Sequence, residues 1–244
     1  MSADSRWLVL RLEAPLLAFG GVTIDQIGIT RDFPAASMLT GLLANALGWR
    51  RTDWHAHQAL QDRLIFAARR DRESDSGVLT DTQNVQLEKS DCGWTTHGTA
   101  EGRAGASYGA PHRRLRDYHP DACVTVALRL NPAEDPPDLD AVAEALDRPA
   151  RPLFIGRKPC LPSRPLRAGI IGGPSAYEAL QRIAAVDASN KPLRALWPEQ
   201  EGPTEGRQVH RIVALPDLRN WKTGLHGGTR LVVEGTVEAL GAPA

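Results

Sequence analysis

The stretch from Asp32 to Trp49, DFPAASMLTGLLANALGW, constrains the fold more than any other. Its apolar residues Met38, Leu39, Leu42, Leu43, Ala46 and Leu47 recur at the i, i+3/i+4 spacing of a helix with one buried face. Pro34 is expected in the first helical turn, and Gly48 marks the stop. Such a face needs a surface to cover, and strand-like sequence lies on both sides of it. Residues 6–13, RWLVLRLE, set apolar residues around alternating charges, and Gly20 and Gly21 follow as a turn. A short polar helix is expected over residues 54–63. LIFAAR and GVLTDTQ then read as two strands joined by a charged hairpin, RDRESDSG. Residues 121–130, DACVTVALRL, carry the β-branched residues of a strand and precede the helix DLDAVAEALDR. A further helix, PSAYEALQRIAA, and two late strands, VHRIVAL (residues 209–215) and TRLVVEGTV, complete the pattern. The order strand, helix, strand, strand, helix, strand is that of an α+β, ferredoxin-like βαββαβ domain, with VHRIVAL expected to close it.

One stretch resists this scheme. Residues 85–116 show no usable period and contain Gly93, Gly98, Gly102, Gly105 and Gly109 interleaved with Arg103, Arg113 and Arg114. A connection of that length is usually functional rather than scaffold, so it is expected to be an insertion. Charge is segregated in the same way. The formal net charge is +0, yet residues 148–167 hold Arg148, Arg151, Arg157, Lys158, Arg164 and Arg167 with no acidic residue. A local basic surface for phosphate is therefore available despite the neutral average, although the same run is compatible with arginines spread over solvent. The prolines of GRKPCLPSRPLR would hold Arg157, Lys158 and Arg164 in a stiff, extended loop.

Catalytic signatures are thin. The chain has no G-x-S-x-G elbow, phosphate-loop motif, dinucleotide glycine motif or H-E-x-x-H pair. His55 and His57 stand i, i+2 on a helix and point apart, so no metal site and no cofactor are expected. Cys92, Cys123 and Cys160 are an odd number and form no C-x-x-C pair, which reads as free thiols in a reducing cytoplasm. No apolar run reaches the roughly 18 residues of a membrane helix, and Arg11 and Glu13 break up the N-terminal apolar segment. Aromatic residues are 5% of the chain and the stacked-aromatic RNA-recognition consensus is absent, so base stacking on the sheet is not the expected binding mode.

Three segments resemble the CasD family, the RAMP-superfamily subunit of type I-E CRISPR Cascade complexes. LRLEAPLLAFGG with TRDFPAASMLTGLLANALG is similar to the family's first strand, glycine turn and helix. LRDYHPDACVTVAL is similar to the strand after its inserted thumb, and PLFIGRKPCLPSRPL to its Gly-Arg-basic-x-Cys loop. The resemblance implies one RAMP domain over residues 1–244, with a thumb over 85–117 and a C-terminal portion from 150 that includes the last ferredoxin-like strand. It also implies a non-catalytic antiviral role in the cytoplasm, with the 5′ handle of crRNA, the backbone subunit and the large subunit as partners and target DNA met only through the complex. Carried over by position, Gly20, Gly21, Arg31 and Ser37 would lie near the handle. Arg113, Arg114, Arg116 and Tyr118 would form the thumb base, with Arg157 and Lys158 on an RNA-facing loop. Two positions depart from the family pattern. Ala36 stands where relatives carry a basic residue, and Thr82 with Gln83 stand where many have an aromatic-histidine pair. Gln83 can bond a sugar or base but cannot transfer a histidine's proton.

Two other functional classes fit parts of the sequence. Type I-C relatives cut precursor crRNA, and His112 or His119 with Tyr118 could act as acid and base without metal. A small-molecule enzyme on the same fold would need a pocket of converging polar groups that the sequence does not reveal.

Overall fold

Strand β1 (Ser5–Leu17) is buried along most of its length and sends one face of its side chains toward each of two cores. The computed structural model describes residues 4–86, 92–94, 100–102, 111–187 and 191–239. Beyond β1 come the short strands β2 (Thr23–Ile24) and β3 (Ile27–Gly28), then helices α1 (Ala36–Ala46) and α2 (Trp54–Arg63). Strands β4 (Leu64–Arg72), β5 (Leu79–Val85), β6 (Cys92–Trp94), β7 (Ala100–Gly102) and β8 (His112–Leu130) follow. After α3 (Leu139–Asp147) come β9 (Arg167–Gly173), α4 (Ala176–Arg182), β10 (Leu193–Pro198), β11 (Val209–Arg219) and β12 (His226–Val237).

The main sheet has the order β11-β12-β10-β4-β8-β1-β9. Its last four members are all antiparallel neighbours and, with α1 and α3 as the crossing helices, make the βαββαβ unit expected from sequence. Alternation along the strands separates the two cores. Leu8, Phe66 and Leu128 face Leu39 and Leu43 of α1 and Val142 of α3, while Trp7, Ala67 and Ala127 face Ala179 and Leu180 of α4. Full burial of such a side chain stabilises by about 1.5–3 kcal/mol. Trp7 is buried without loss because its indole N–H donates to the Gly173 carbonyl at 2.8 Å. Side-chain caps start two of the helices. Asp138 accepts from the Ala141 amide at 2.7 Å and Ser175 from the Glu178 amide at 3.3 Å. Arg69, fully buried, is tied to Asp71 at 2.6 Å and to the carbonyls of Leu180, Ile183 and Ala184, which fastens the end of α4 to the sheet.

Four expectations are corrected. Pro34 precedes α1 rather than opening it, because the Ala35 amide is held by the Phe19 carbonyl at 3.1 Å and Ala35 is the N-cap. RDRESDSG is not a hairpin. β4 and β5 both pair with β8, one after the other, because β8 is 19 residues long and can hold both. The closing ferredoxin-like strand is β9, not residues 209–215, which join β12 and β10 beyond β4. RAGIIGG was hidden by its three glycines and its alternate exposure at the edge of the sheet. Finally, residues 112–117 are strand rather than aperiodic insertion. Their ladder with β5 is largely solvent-facing, so pairing holds them and no burial pattern marks them in sequence. Most of the intervening residues lie outside the described ones.

Candidate nucleic-acid interface

The end of the β11–β12 hairpin builds the site by folding back over α1 and α2. Register shifts fall between Leu215 and Leu218 and again at Arg219, around Pro216, which has no amide to give the ladder. The bent segment delivers Asp217 to the start of α1. There its carboxylate accepts from the Ala36 amide at 3.0 Å, which Ala35 cannot cap with its own side chain. The same buried carboxylate receives Arg230 through two bonds, Nε to Oδ1 at 3.0 Å and Nη2 to Oδ2 at 2.9 Å. Further along, Gln61 of α2 accepts from the Arg219 amide and the Trp221 indole, both at 3.1 Å, and donates to the Arg219 carbonyl at 2.9 Å.

These contacts leave two adjoining clefts over α1. One, of about 420 Å³, is lined by Gly20, Gly21, Ser37, Arg157, Arg219 and Trp221, among others. The second, of about 410 Å³, shares Gly21, Ser37 and Arg219 and adds Arg31. Gly20, Gly21, Arg31, Ser37 and Arg157, distant in sequence, therefore converge on one groove. Arg31 fixes a wall, its Nη2 donating to the Pro216 carbonyl at 2.7 Å and its amide to the Gly20 carbonyl at 2.9 Å.

Arg157 is more deeply engaged than a surface phosphate ligand. Its guanidinium donates to the carbonyls of Asp117 and Gly28, both at 2.8 Å, and of Ile29 at 3.2 Å, and lies 5.0 Å over the Tyr118 ring. The turn carrying it fits only because residue 156 is glycine. Its φ is +82°, and a Cβ there would run into the Ala18 carbonyl. Lys158, next along the turn, is exposed and has no ion pair among the described residues. Tyr118, expected at the thumb base, is buried, 2% accessible, because β8 enters the core there and the ring carries Arg157. His119 is also buried. Its Nε2–H donates to the Arg31 carbonyl at 2.8 Å and its Nδ1 faces Arg70 Nη2 at 3.4 Å. Burial, with the Arg70 charge adding to it, lowers its pKa below the ordinary histidine value, against the opposing bond to Arg31.

The other predicted residues lie elsewhere. Gln83 and Arg114 are opposite each other on the exposed β5–β8 ladder, with Arg113 beside them opposite Asn84. Arg116 folds back to the Gln26 carbonyl at 3.0 Å. Arg164 is apart from both groups, its Nε 3.1 Å from Glu13. Sequence reading missed Asp217, Arg219 and Trp221. The basic and aromatic run Arg219-Asn220-Trp221-Lys222 was the available signal for the last two. For Asp217 there was none, since its partner Ala36 is 181 positions away. Among the described residues no group of His, Cys, Asp and Glu side chains could hold a metal ion, and no helix is long and apolar enough to cross a membrane.

The chain is similar to known proteins. A protein from Escherichia coli named CRISPR system Cascade subunit CasD is 30% identical over 174 residues, which cover 71% of this chain and 75% of that one. A chain in a solved structure described as a CRISPR RNA-guided surveillance complex has a TM-score of 0.66 at 22% identity, over 98% of this chain and 93% of its own length. A second, described as the crystal structure of a Cas protein, has a TM-score of 0.61 at 23% identity, over 97% of each chain. At these identities the structural likeness is one of fold. The family model described as CRISPR-associated protein (Cas_Cas5) matches residues 7–233, nearly the whole of the body and both walls of the groove, and the chain belongs to that family.

Proposed function

We propose that this chain is a non-catalytic subunit of a type I-E CRISPR surveillance complex, a single RAMP domain that holds the 5′ handle of crRNA. The convergence of Gly20, Gly21, Arg31, Ser37 and Arg157 on one groove carries the reading. Sequence is read by base pairing in RNA-guided systems, so such a subunit needs fixed backbone walls and phosphate-directed charge rather than a reactive centre. Arg219, with no ion pair among the described residues, and exposed Lys158 supply charge. Arg31 and Arg157 supply the walls. In this reading residues 85–117 form the thumb, rooted on the β5–β8 ladder, with Gln83, Arg113 and Arg114 at its base facing RNA or the neighbouring backbone subunit. Contacts with the large subunit, and target DNA met through the complex, complete the set of partners.

The rival reading, cleavage of precursor crRNA, needs an accessible acid and base. Burial of Tyr118 and of both ring nitrogens of His119 favours the holding role. The test is incubation of the purified protein with labelled repeat RNA, with and without EDTA, followed by a gel shift and a denaturing gel. A shift without new bands, weakened in Arg219→Gln with Lys158→Gln, is expected. A discrete cut that disappears in His112→Ala or His119→Ala would make the protein a processing nuclease.

A further inference from the structure

Beside the groove, where the β11–β12 turn meets the start of α2, lies a smaller cleft of about 360 Å³ lined by Arg51, Thr52, Trp54, Trp221, Lys222, Thr223 and Gly224. No carboxylate lines it. The turn brings two guanidinium tips to one place. A Cβ built on Gly224, a residue at φ +76°, would lie 3.1 Å from Arg219 Nη2 and 3.4 Å from Arg51 Nη2, so both tips flank the space beside that glycine. Neither guanidinium forms an ion pair among the described residues, and Arg219 Nε is shielded from solvent without a hydrogen-bond partner. Burial and then the charge of Arg51 lower the Arg219 pKa, with no acidic group acting in the other direction. Two like charges held together in a partly desolvated place repel, and an anion between them removes the cost.

The support is rigid. Gln61 and Gln58 of α2 pin the Arg219 and Trp221 backbone, and Trp221 packs 4.6 Å from the buried His57 ring. The aromatic faces are largely taken. His55 stacks on Trp54 at 3.4 Å, and Lys222 Nζ sits 5.5 Å over the same Trp54 ring. The cleft therefore offers charge and N–H donors rather than a free ring for a base.

The geometry points to a phosphate site at Arg51, Arg219 and Lys222, which takes a backbone phosphodiester of the RNA strand where it leaves the α1 groove. Trp221 lines both the groove and this cleft, Gly224 lines the cleft and the neighbouring half of the groove, and the Arg219 guanidinium of the groove stands beside Gly224, so a strand leaving past Arg219 arrives between Arg51 and Lys222. The inference rests on the handle-binding reading and adds to it a direction and an exit.

The test uses the full chain and the variant Arg51→Gln with Lys222→Gln, both residues being exposed. Thermal unfolding in inorganic phosphate against chloride at equal ionic strength is the first readout. Phosphate is expected to raise the midpoint of the wild type and to have no effect on the variant. Binding of handle RNA across a salt series is the second. Each single-strand phosphate contact contributes about 0.7 to the slope of log K against log salt, so the variant should be shallower by about 1.4 and weaker at moderate salt. An unchanged slope with tight RNA binding overturns the exit site and leaves the handle reading intact. A phosphate response lost in the variant, with no RNA binding by either protein, means an adventitious ion only and overturns both.

Discussion

Removing the Asp217 carboxylate should unsettle the whole groove, because one side chain both caps α1 and neutralises Arg230. In Asp217→Ala the Ala36 amide loses its acceptor, and Arg230, 18% exposed, is left without its counter-charge. Orphaning one member of a buried pair costs about 3–5 kcal/mol, and losing a cap costs about 1. Oδ2 serves both partners, so the two losses overlap and the total should stay near about 3–5 kcal/mol. For a chain of this size that lowers the thermal midpoint by about 6–20 °C. Asp217→Asn keeps an acceptor without the charge and should fall between wild type and alanine. Adding Arg230→Met to Asp217→Ala removes the orphaned charge and should recover most of the loss. Urea unfolding followed by tryptophan fluorescence, with a thermal scan, measures all four proteins. A midpoint change under about 2 °C for Asp217→Ala, or a double variant no more stable than the single, would refute the assignment.

Three further outcomes follow from the packing. His119 is held neutral, so between its lowered native pKa and the ordinary value of about 6.5 the unfolded chain binds more protons than the native one. Its contribution is complete above that ordinary value and is lost as pH falls toward the native one; a urea series at several pH values should show a flatter acid slope in His119→Gln, and identical slopes would count against it. Burial, with the charges of Asp71 and Glu13 adding to it, pushes the Cys123 thiol up to about 12, and burial also raises Cys160. At pH 8 maleimide should leave both unlabelled in the native protein and label both in urea, as read by peptide mass mapping; native labelling would contradict their burial. Arg157→Lys keeps the charge but loses the fork that joins three carbonyls, and should cost about 1–3 kcal/mol in denaturant unfolding. Wild-type stability would show that the clamp contributes nothing.

What could be read from sequence was whatever repeats a local period. Met38 to Leu47 declared α1 because its buried face follows the helical repeat, and residues 121–130 declared the core half of β8 through β-branched residues buried on both faces. β9 was invisible because an edge strand with three glycines carries little apolar signal, and the outer half of β8 because solvent lies on its faces. The groove was half legible. Gly20, Gly21, Ser37 and Arg157 came from resemblance, while Arg219 and Trp221 depend on a bend at Pro216 that no local pattern announces. The basic run was legible as charge but not as use. Arg151 serves the carbonyls of Gly48 and Trp49, Arg157 those of β3 and its neighbours, and Arg164 and Arg167 pair with Glu13 and Asp147. Sequence gives the number of charges, and only tertiary structure shows which are already spoken for.

The register of the β5–β8 ladder sets Val85 opposite His112, so the chain leaves the body and returns to it at one place. Whatever runs between those residues, β6 and β7 included, joins the fold through ends that already meet. Closing a longer loop adds only about 0.6 kcal/mol for each doubling of its length. By that measure a change in the segment's length asks little of the ladder that closes it. Lineages are free to refit it to different neighbours, and an engineer could use the Val85–His112 junction to graft a reporter or a foreign binding loop.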